Sequence, residues 1–302
     1  MKPILFSGSS HPALAAEIAK RANLGLGKIE IKEFACREIY VKIKEAVRGK
    51  VTFVLQTCTE MVNRDFMETF LILDALKRHD AHEIHVVMPH FGYSRQDRIA
   101  EKGETISAKL MASLLSSSGM DSFITMDLHS PQIQGFFDVP ISSVRARPLI
   151  VAYFKKKNIK EVVVVTTDSG GVKIATSFAH DLNAPLVVLH KSRMRHNHSE
   201  VTHLVGNVKN KTALIFDDMI DTAGSMVNAK EVVLKNGANK GVYAAATHAL
   251  FSAPACMRLN KAGFKEIVVT DTIPLSPNRT PKNVKVISVA PLLVSAIKQA
   301  LH

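Results

Sequence analysis

Short runs of hydrophobic residues, rich in Val and Ile, alternate along the chain with longer segments in which apolar residues recur at helical spacing. Such short runs are typical of strands buried on both faces, and the longer segments are typical of helices packed against them. The predicted strands span 51–56, 84–88, 122–126, 161–166, 186–189, 212–216, 241–246 and 266–270, and the predicted helices span 12–22, 62–78, 106–117, 149–156, 170–181, 225–236 and 254–262. The pattern predicts an α/β fold of parallel sheets flanked by helices.

The length of the chain, 302 residues, fits two medium-sized domains better than one. A boundary between Ser142 and Pro148 gives two halves, each long enough for a mainly parallel sheet with flanking helices. We therefore predict one domain over residues 1–145 and a second over residues 146–302, with a C-terminal segment that could pack back on the first domain. The two halves show the same alternation of predicted strands and helices, but their residues show no sequence repeat.

Composition limits the class of protein. Hydrophobic residues make up 46% of the chain and charged residues 22%, which allows buried cores and excludes a disordered polyelectrolyte or a collagen-like fibre. The 39 Lys and Arg outnumber the 27 Asp and Glu, so the formal charge is +12 and the expected partners are anions. Lys282, Lys285 and Lys298 are dispersed and lack interleaved aromatic residues, so we expect small phosphorylated molecules rather than nucleic acid.

The spacing of the cysteines and the length of the apolar runs indicate in which cellular compartment the protein is found. Cys36, Cys58 and Cys256 lie far apart and form neither a C-x-x-C pair nor the even set of a secreted disulfide framework. No apolar run approaches the roughly eighteen residues of a membrane-spanning helix. The sequence therefore predicts a cytoplasmic protein with no membrane partner.

The most informative local feature is the segment TALIFDDMIDTAGS at 212–225, where an apolar strand runs into acidic residues and a turn of small residues that opens a helix. Backbone N–H groups at 222–225, two hydroxyls and the positive end of the helix suit a phosphate group. Asp217 and Asp218 would lie at the carboxyl end of a strand, where open sheets bind ligands, and could accept hydrogen bonds from sugar hydroxyls. The structural alternative is an acid-capped helix without a ligand.

This segment resembles the phosphoribosyl-pyrophosphate loop that type I phosphoribosyltransferases and ribose-phosphate pyrophosphokinases share. Four further segments resemble the pyrophosphokinases alone, namely PHFGYSRQDR at 89–98, DLHSPQIQGFFD at 127–138, TDSGGVK at 167–173 and ATHALFS at 246–252. The resemblance extends from residue 6 to about residue 301 in the order and spacing of that family. It implies two phosphoribosyltransferase-like domains, with ATP-side motifs in the first and the ribose-5-phosphate loop in the second.

The resemblance implies transfer of the β,γ-diphosphoryl group of ATP to the C1 hydroxyl of ribose 5-phosphate, which gives 5-phospho-α-D-ribose 1-diphosphate and AMP for nucleotide biosynthesis. The implied ATP-binding residues are Phe34, Cys36, Arg37, Glu38, Arg95, Gln96 and Asp97, and the implied ribose-5-phosphate-binding residues are Arg193, Asp217, Asp218, Asp221, Thr222, Ala223, Gly224 and Ser225. His129, Asp168 and Asp127 match magnesium-associated positions, so one or two Mg²⁺ ions are implied.

The implied catalytic residues, Lys191 and Arg193, fall in a basic segment where the family has a mobile Lys-x-Arg loop. Phosphoryl transfer depends mainly on positioning and on positive charge around the transferred phosphorus, which these two cations would supply. The structural alternative is a solvated basic turn.

Two features depart from the family pattern. The adenine loop of the family usually reads Phe-x-Asp-Gly-Glu, whereas this chain has FACRE at 34–38. Cys36 in place of Asp removes an acceptor for the adenine amino group, so we expect relaxed or altered nucleotide preference. Many members have a Ser, near an allosteric phosphate and ADP site, in the stretch that this chain fills with residues 77–81, and the charge of Asp80 there predicts weak or absent control by these ligands.

The family's adenine loop is contributed by a neighbouring subunit, so the resemblance implies a homo-oligomer built from dimers, with a hexamer as one option. Two alternative functions remain open. A non-catalytic regulatory paralogue is favoured by the altered Cys36 and Arg37, whereas the retained Lys191 and Asp218 count against it. A type I phosphoribosyltransferase would share the loop at 217–225, but the ATP-side motifs count against that function.

Overall fold

Residues 2–192 and 201–301 are described by a computed structural model, and within them the chain divides into two compact units. The first unit contains the residues up to Arg145, Thr272–Pro274 and the segment from Ser288 onward. The second contains Ala146–Asp271 and Leu275–Ile287. Each unit has a largely parallel sheet and flanking helices, so the predicted α/β class is confirmed.

The secondary structure alternates between strands and helices along most of the chain. The strands are β1 (Ile4–Ser7), β2 (Gly25–Leu26), β3 (Ile29–Glu33), β4 (Ile39–Ile43), β5 (Val51–Leu55), β6 (Glu83–Met88), β7 (Ser122–Met126), β8 (Ile141–Val144), β9 (Val162–Thr166), β10 (Leu186–Ser192), β11 (Val201–Val205), β12 (Thr212–Ile220), β13 (Tyr243–Ala249), β14 (Glu266–Thr270) and β15 (Val284–Ile287). The helices are α1 (Pro12–Ala22), α2 (Val62–Arg78), α3 (Ser107–Ser117), α4 (Arg147–Lys157), α5 (Val172–Leu182), α6 (Gly224–Lys235), α7 (Ala255–Ala262) and α8 (Ala290–Gln299).

The two sheets have corresponding strand orders. The parallel sheet of the first unit runs β2-β1-β5-β6-β7-β8. The sheet of the second unit runs β11-β10-β9-β12-β13-β14-β15, in which β11 alone is antiparallel to its neighbour among the described strands. In the first sheet β1 lies between β2 and β5, and in the second sheet β9 lies between β10 and β12. The order therefore reverses between β1 and β5 and between β9 and β12, and open sheets of this kind bind ligands at the carboxyl ends of such strands.

Each unit also carries an antiparallel hairpin. In the first unit β3 and β4 pair with each other apart from the main sheet, from Ile29 opposite Ile43 to Glu33 opposite Ile39. In the second unit β10 pairs with β11. The β3–β4 hairpin lies in the chain between β2 and β5, and the β10–β11 hairpin lies between β9 and β12.

Buried apolar side chains fill the space between sheet and helices in each unit. Phe91 and Phe123 meet edge to face in the first unit, with ring centroids 5.6 Å apart. Phe178 of α5 and Phe216 of β12 stack at 4.0 Å in the second. These contacts fasten helices and loops to the sheet and so fix the ends of the strands.

Local chemistry accounts for the helix bounds that the sequence predicts. At the start of α1 the His11 ring nitrogen accepts the Leu14 N–H at 3.3 Å and Pro12 takes the first helical position. Asn23 ends the helix in the left-handed conformation, with φ of 55°. The bounds of α1 and α2 are those predicted, and the bounds of the other predicted helices differ by one or two residues.

Several predicted bounds are wrong. The predicted strand at 212–216 continues to Ile220, because β13 pairs with it as far as Ala249. Asp217 and Asp218 therefore lie inside β12 and not beyond its end. The prediction also lacks the short or half-exposed strands β1, β2, β3, β4, β8, β11 and β15 and the helix α8. Among the described residues, none of the helices combines the length and the hydrophobicity needed to cross a lipid bilayer.

Candidate active site

The carboxyl end of β9 lies beside the middle of β12 in the second unit and brings Thr167 against Asp217. The Thr167 hydroxyl donates to one oxygen of the Asp217 carboxylate at 2.6 Å, and the Asp218 N–H donates to the other at 2.9 Å. Asp217 is half-buried and Asp218 is 8% exposed. The Asp217 carboxyl group is thus held in place beside Asp218 where the strand order reverses, and such a pair suits hydrogen bonding to sugar hydroxyls or binding of a cation.

This pair of carboxyl groups has unusual electrostatics. Burial in the first place, and the neighbouring Asp218 carboxylate in the second, raise the pKa of Asp217 well above its usual range. Two like charges in a partly dry site cost free energy, which a bound cation or a hydroxyl donor would offset. A perturbed carboxyl pair in the ligand-binding position of an open sheet is typical of a functional site.

The turn between β9 and α5 holds Asp168. One oxygen of its carboxylate accepts the Gly171 N–H at 3.0 Å, and its carbonyl accepts the Thr166 hydroxyl at 3.0 Å. Glycine at 171 avoids a clash, because a Cβ there would lie 2.7 Å from the Thr166 hydroxyl oxygen. The Asp168 side chain is exposed and its direction is set by this turn.

The loop that follows β12 leads directly into a helix. Ala223 precedes the first residue of α6 in the left-handed conformation, with φ of 62°, and is buried. Thr222 and Gly224 are exposed, and Asp221 and Ser225 are half-exposed. Among the residues that the structure describes, no side chain caps α6, so its first N–H groups lie at an exposed turn in the arrangement that binds phosphate groups.

In the first unit, the segments after β6 and β7 meet at one edge of the sheet. One carboxylate oxygen of Asp97 accepts the Ser130 hydroxyl at 2.5 Å and the Gln132 amide at 3.0 Å. Ser130 follows His129 directly, so this bond ties the Arg95-containing segment to the turn that carries Asp127 and His129. Arg95 and His129 are exposed, and Asp127 is half-buried.

Gln96 is held at the start of α3. Its side-chain oxygen accepts the Ser107 hydroxyl at 2.5 Å, and its backbone carbonyl accepts the Ala108 N–H at 3.1 Å. Tyr93, in the left-handed conformation, makes the turn that these bonds close, and its carbonyl accepts the Gln96 N–H at 2.9 Å. The segment therefore has a defined shape, and Arg95 within it is exposed.

The tip of the β3–β4 hairpin carries the remaining predicted ATP-binding residues. Phe34 is 52% exposed, and its ring meets Tyr40 edge to face at 5.8 Å. Arg37, in the left-handed conformation, donates to Glu33 at 2.8 Å, and Cys36 and Glu38 are exposed. An exposed aromatic ring at the tip of a hairpin has the chemistry of a platform for a planar ligand.

The predicted catalytic pair falls at the margin of the described residues. The backbone of Lys191 lies in β10 opposite Thr202. Arg193 lies outside the described residues.

Comparisons with known proteins show which family this chain belongs to. The N-terminal domain of ribose phosphate pyrophosphokinase matches residues 3–119, and the phosphoribosyl synthetase-associated domain matches residues 192–302. A ribose-phosphate pyrophosphokinase from Fusobacterium nucleatum is 46% identical over 97% of this chain and 93% of its own length, and one from Bacillus subtilis is 43% identical over 97% and 92%. The chain belongs to the ribose-phosphate pyrophosphokinase family.

A solved structure of the family supports the same conclusion. The phosphoribosylpyrophosphate synthetase from Mycobacterium smegmatis superimposes with a TM-score of 0.94 and 38% identity, over 100% of this chain and 99% of that one. The family and the enzyme class implied by the sequence motifs are therefore confirmed, together with the family fold.

The described residues of this pyrophosphokinase-family chain contain no group of three His, Cys, Asp or Glu side chains arranged to hold a metal. Asp127 and His129 belong to the first unit and Asp168 to the second. Mg²⁺ is usually bound by one or two carboxylates, with phosphate oxygens and water as further ligands. The exposed Asp168 carboxylate, oriented by Gly171, fits that type of site.

Two residues that the sequence did not predict as site residues touch the candidate site. The Thr167 hydroxyl binds Asp217, and Arg258 of α7 donates to the Thr222 carbonyl at 3.1 Å. Thr167 lies in one of the motifs that carry the family resemblance. Arg258 is 36 residues from Thr222 in sequence, and no local motif marks it.

Proposed function

We propose that this chain transfers the β,γ-diphosphoryl group of Mg-ATP to the C1 hydroxyl of ribose 5-phosphate. The C1 oxygen forms a bond to the β-phosphorus, the bond from that phosphorus to the oxygen shared with the α-phosphate breaks, and the hydroxyl proton passes to water. The products are 5-phospho-α-D-ribose 1-diphosphate and AMP, which supply nucleotide biosynthesis. Full-length similarity to ribose-phosphate pyrophosphokinases carries this proposal.

The second unit is proposed to bind ribose 5-phosphate. The N–H groups at Thr222, Ala223, Gly224 and Ser225 receive the 5-phosphate at the start of α6, because the positive end of a helix favours an anion. Asp217, Asp218 and Asp221 accept hydrogen bonds from the ribose hydroxyls. Hydroxyl donors would stabilise negative charge on the buried Asp217 and Asp218 pair, which adds to binding.

The first unit is proposed to supply the ATP side of the site. Arg95 and Gln96 bind the nucleotide, and Asp97 holds their segment to the turn of His129 through Ser130. Phe34 forms a platform for adenine, with Cys36, Arg37 and Glu38 around it.

Lys191 and Arg193 are the proposed catalytic residues. Their charges stabilise the transferred diphosphoryl group in the transition state, when negative charge spreads over its equatorial oxygens. Arg193 would also contact ribose 5-phosphate. His129, Asp168 and Asp127 would hold one or two Mg²⁺ ions. Bound Mg²⁺ neutralises the triphosphate.

The protein is proposed to act in the cytoplasm as a homo-oligomer built from dimers, in which the hairpin tip of one subunit completes the site of a neighbour. All three cysteines, Cys36, Cys58 and Cys256, are unpaired, which suits a reducing compartment.

The test is a product assay on the purified chain. It is incubated with ATP, ribose 5-phosphate and Mg²⁺ while AMP and 5-phosphoribosyl diphosphate are measured together. We expect equal yields of the two products, lost in Lys191→Ala and retained in Lys209→Ala, which removes an exposed lysine elsewhere in the second unit. No product with any nucleotide would contradict the proposal and favour the regulatory paralogue. Diphosphate release from phosphoribosyl diphosphate and a free base would favour the phosphoribosyltransferase.

A further inference from the structure

Arg258 lies against the loop that opens α6. Its guanidinium Nη1 donates to the Thr222 carbonyl at 3.1 Å, and a Cβ at Gly224 would lie 3.6 Å from the same nitrogen. The side chain is exposed, and a guanidinium has five N–H donors, of which this bond uses one. The Arg258 guanidinium thus lies next to both Thr222 and Gly224, the residues that flank Ala223.

The helix that carries Arg258 is fixed relative to α6 by a second cation. Lys230, in the middle of α6, is 6% exposed, and its ammonium donates to the last carbonyls of α7, at 2.5 Å to Ala262 and 2.6 Å to Gly263. The same ammonium lies 4.9 Å from the centre of the Phe264 ring. Because α7 is fastened to α6 at this point, Arg258 has a defined position over the turn that begins α6.

The position of Arg258 has an electrostatic consequence. The first turn of a helix carries a partial positive charge, so a guanidinium placed there raises the electrostatic energy of the empty loop. An anion bound at the turn would be attracted by both. The acidic residues Asp217, Asp218 and Asp221 precede the turn, so a purely structural role for Arg258, in balancing their charge, is the competing explanation.

We propose that Arg258 is a positioning residue for phosphate binding at this turn, an inference that rests on the proposed function. By holding the Thr222 carbonyl, the guanidinium fixes the peptide plane that follows it, so that the N–H groups of 223–225 converge on one point outside the helix. The 5-phosphate of ribose 5-phosphate is the anion received there. Arg258 acts through the Thr222 carbonyl and takes no part in the transfer step.

The experiment compares Arg258→Met, which keeps the length of the side chain without its donors, with Arg258→Lys, which keeps a donor for the carbonyl. Lys261→Met removes a cation from the same helix and serves as control. The KM values for ribose 5-phosphate and for ATP, and kcat, are measured for each. For Arg258→Met we expect a rise of about tenfold in the KM for ribose 5-phosphate, with the KM for ATP within about twofold of the parent. Arg258→Lys should recover most of the loss, and Lys261→Met should match the parent protein.

A second readout needs no catalysis. Thermal unfolding is followed with and without ribose 5-phosphate in the absence of nucleotide, since a ligand that binds only the folded state raises the Tm. The shift should be present in the parent protein, absent in Arg258→Met and largely restored in Arg258→Lys. A parent protein that shows the shift but makes no AMP would contradict the proposed function and leave this test valid.

Three results would overturn the role of Arg258. One is an unchanged KM for ribose 5-phosphate in Arg258→Met. Another is an equal rise of both KM values with a large fall in Tm, which would indicate that Arg258 only stabilises the fold. The third is the absence of any ribose-5-phosphate-dependent shift in the parent protein.

Discussion

Asp217 is the residue at which stability and function oppose each other. Because its pKa is raised by burial and by Asp218, the folded protein resists ionising it, whereas the unfolded chain ionises it at about pH 4. The unfolded state therefore loses its proton first, and the free energy of unfolding falls as pH rises from about 4 toward the raised pKa. Asp217→Asn removes this penalty but also removes a proposed ligand for the ribose hydroxyls.

We expect the difference in unfolding free energy between Asp217→Asn and the parent protein to grow with pH, by at most about 1.4 kcal/mol per pH unit. Urea unfolding at pH 5 and pH 8 measures it, and Asp74→Asn, which alters an exposed carboxylate, is the control. Activity should fall while stability at pH 8 rises. A difference that stays constant with pH would show that Asp217 titrates normally.

Cys36 is the residue at which this chain departs most clearly from its family. The thiol is exposed at the tip of the hairpin, two residues from the exposed Phe34 ring, and has weak hydrogen-bonding capacity. We expect GTP and CTP to be used alongside ATP. Cys36→Asp should raise the ratio of kcat/KM for ATP to that for GTP by about 10-fold to 100-fold, because an acceptor for the adenine amino group is restored.

Kinetics with the three nucleotides measure this ratio. Cys36→Ala removes the thiol without adding a carboxylate and should leave the ratio as it is. A parent protein that already requires ATP strictly, at ordinary affinity, would contradict the hypothesis about Cys36.

The site residues that could be predicted from the sequence are those in contiguous motifs. Asp217 to Ser225 form one such motif, and the structure has them at a strand and turn that open a helix. Thr167 lies within one of the family's motifs, but its bond to Asp217 depends on which strand neighbours β12. Arg258 meets Thr222 only because α7 packs on α6. Contacts across elements are set by sheet order and helix packing, which a single sequence does not show locally.

At the scale of elements, the connection between β4 and β5 meets the connection between α2 and β6. Arg48 and Ala81 form an isolated antiparallel bridge, and the Arg48 guanidinium donates to the Asp80 carboxylate at 2.7 Å. The pair is exposed, so its contribution to stability is small. The ion pair instead affects phosphate binding, because the Arg48 guanidinium already has a carboxylate partner and is therefore a poor site for phosphate.

We expect phosphate to change the rate of the parent enzyme by less than about twofold, and ADP to inhibit without sigmoidal kinetics. Asp80→Asn removes the charge while keeping a residue type that tolerates the left-handed conformation at this position, where φ is 57°. It should increase the effect of phosphate, as initial rates over a range of phosphate concentrations will show. Strong activation of the parent protein by phosphate would refute the hypothesis about Asp80.

The sequence predicts best those helices and strands that have a buried apolar face. Helix α2 was predicted with its observed bounds because a continuous stripe of apolar residues faces the core. The β3–β4 hairpin was missed because both strands are half-exposed and carry Glu30, Lys32 and Lys42 among their apolar residues. The end of β12 was placed too early because Asp217 and Asp218 interrupt the hydrophobic run, although β13 continues to pair with the strand. Pairing between neighbouring strands overrode the local pattern.

At the scale of the whole molecule, the two units repeat one strand order but differ in what they carry at the equivalent place. The hairpin of the first unit carries the proposed adenine platform at Phe34, and the hairpin of the second begins with the strand that contains Lys191. A reaction between a nucleotide and a sugar phosphate requires both groups at one site. If the hairpin of one subunit serves the site of its neighbour, as proposed, each complete site contains Phe34 and Lys191 from different chains.

This arrangement predicts that two inactive variants complement each other. Phe34→Asp replaces a half-exposed ring on the hairpin tip with a carboxylate, and Lys191→Ala removes a proposed catalytic charge. The two variants are mixed in equal amounts, unfolded together and refolded, so that half of the dimers are hybrids of one chain of each. Each hybrid has one site in which both Phe34 and Lys191 are intact and one in which both are replaced. We expect activity to rise to about a quarter of that of the parent protein. The product assay measures it, and each variant refolded alone is the control. If Phe34 and Lys191 of the same chain worked together, every hybrid site would lack one of them, and mixing would restore no activity.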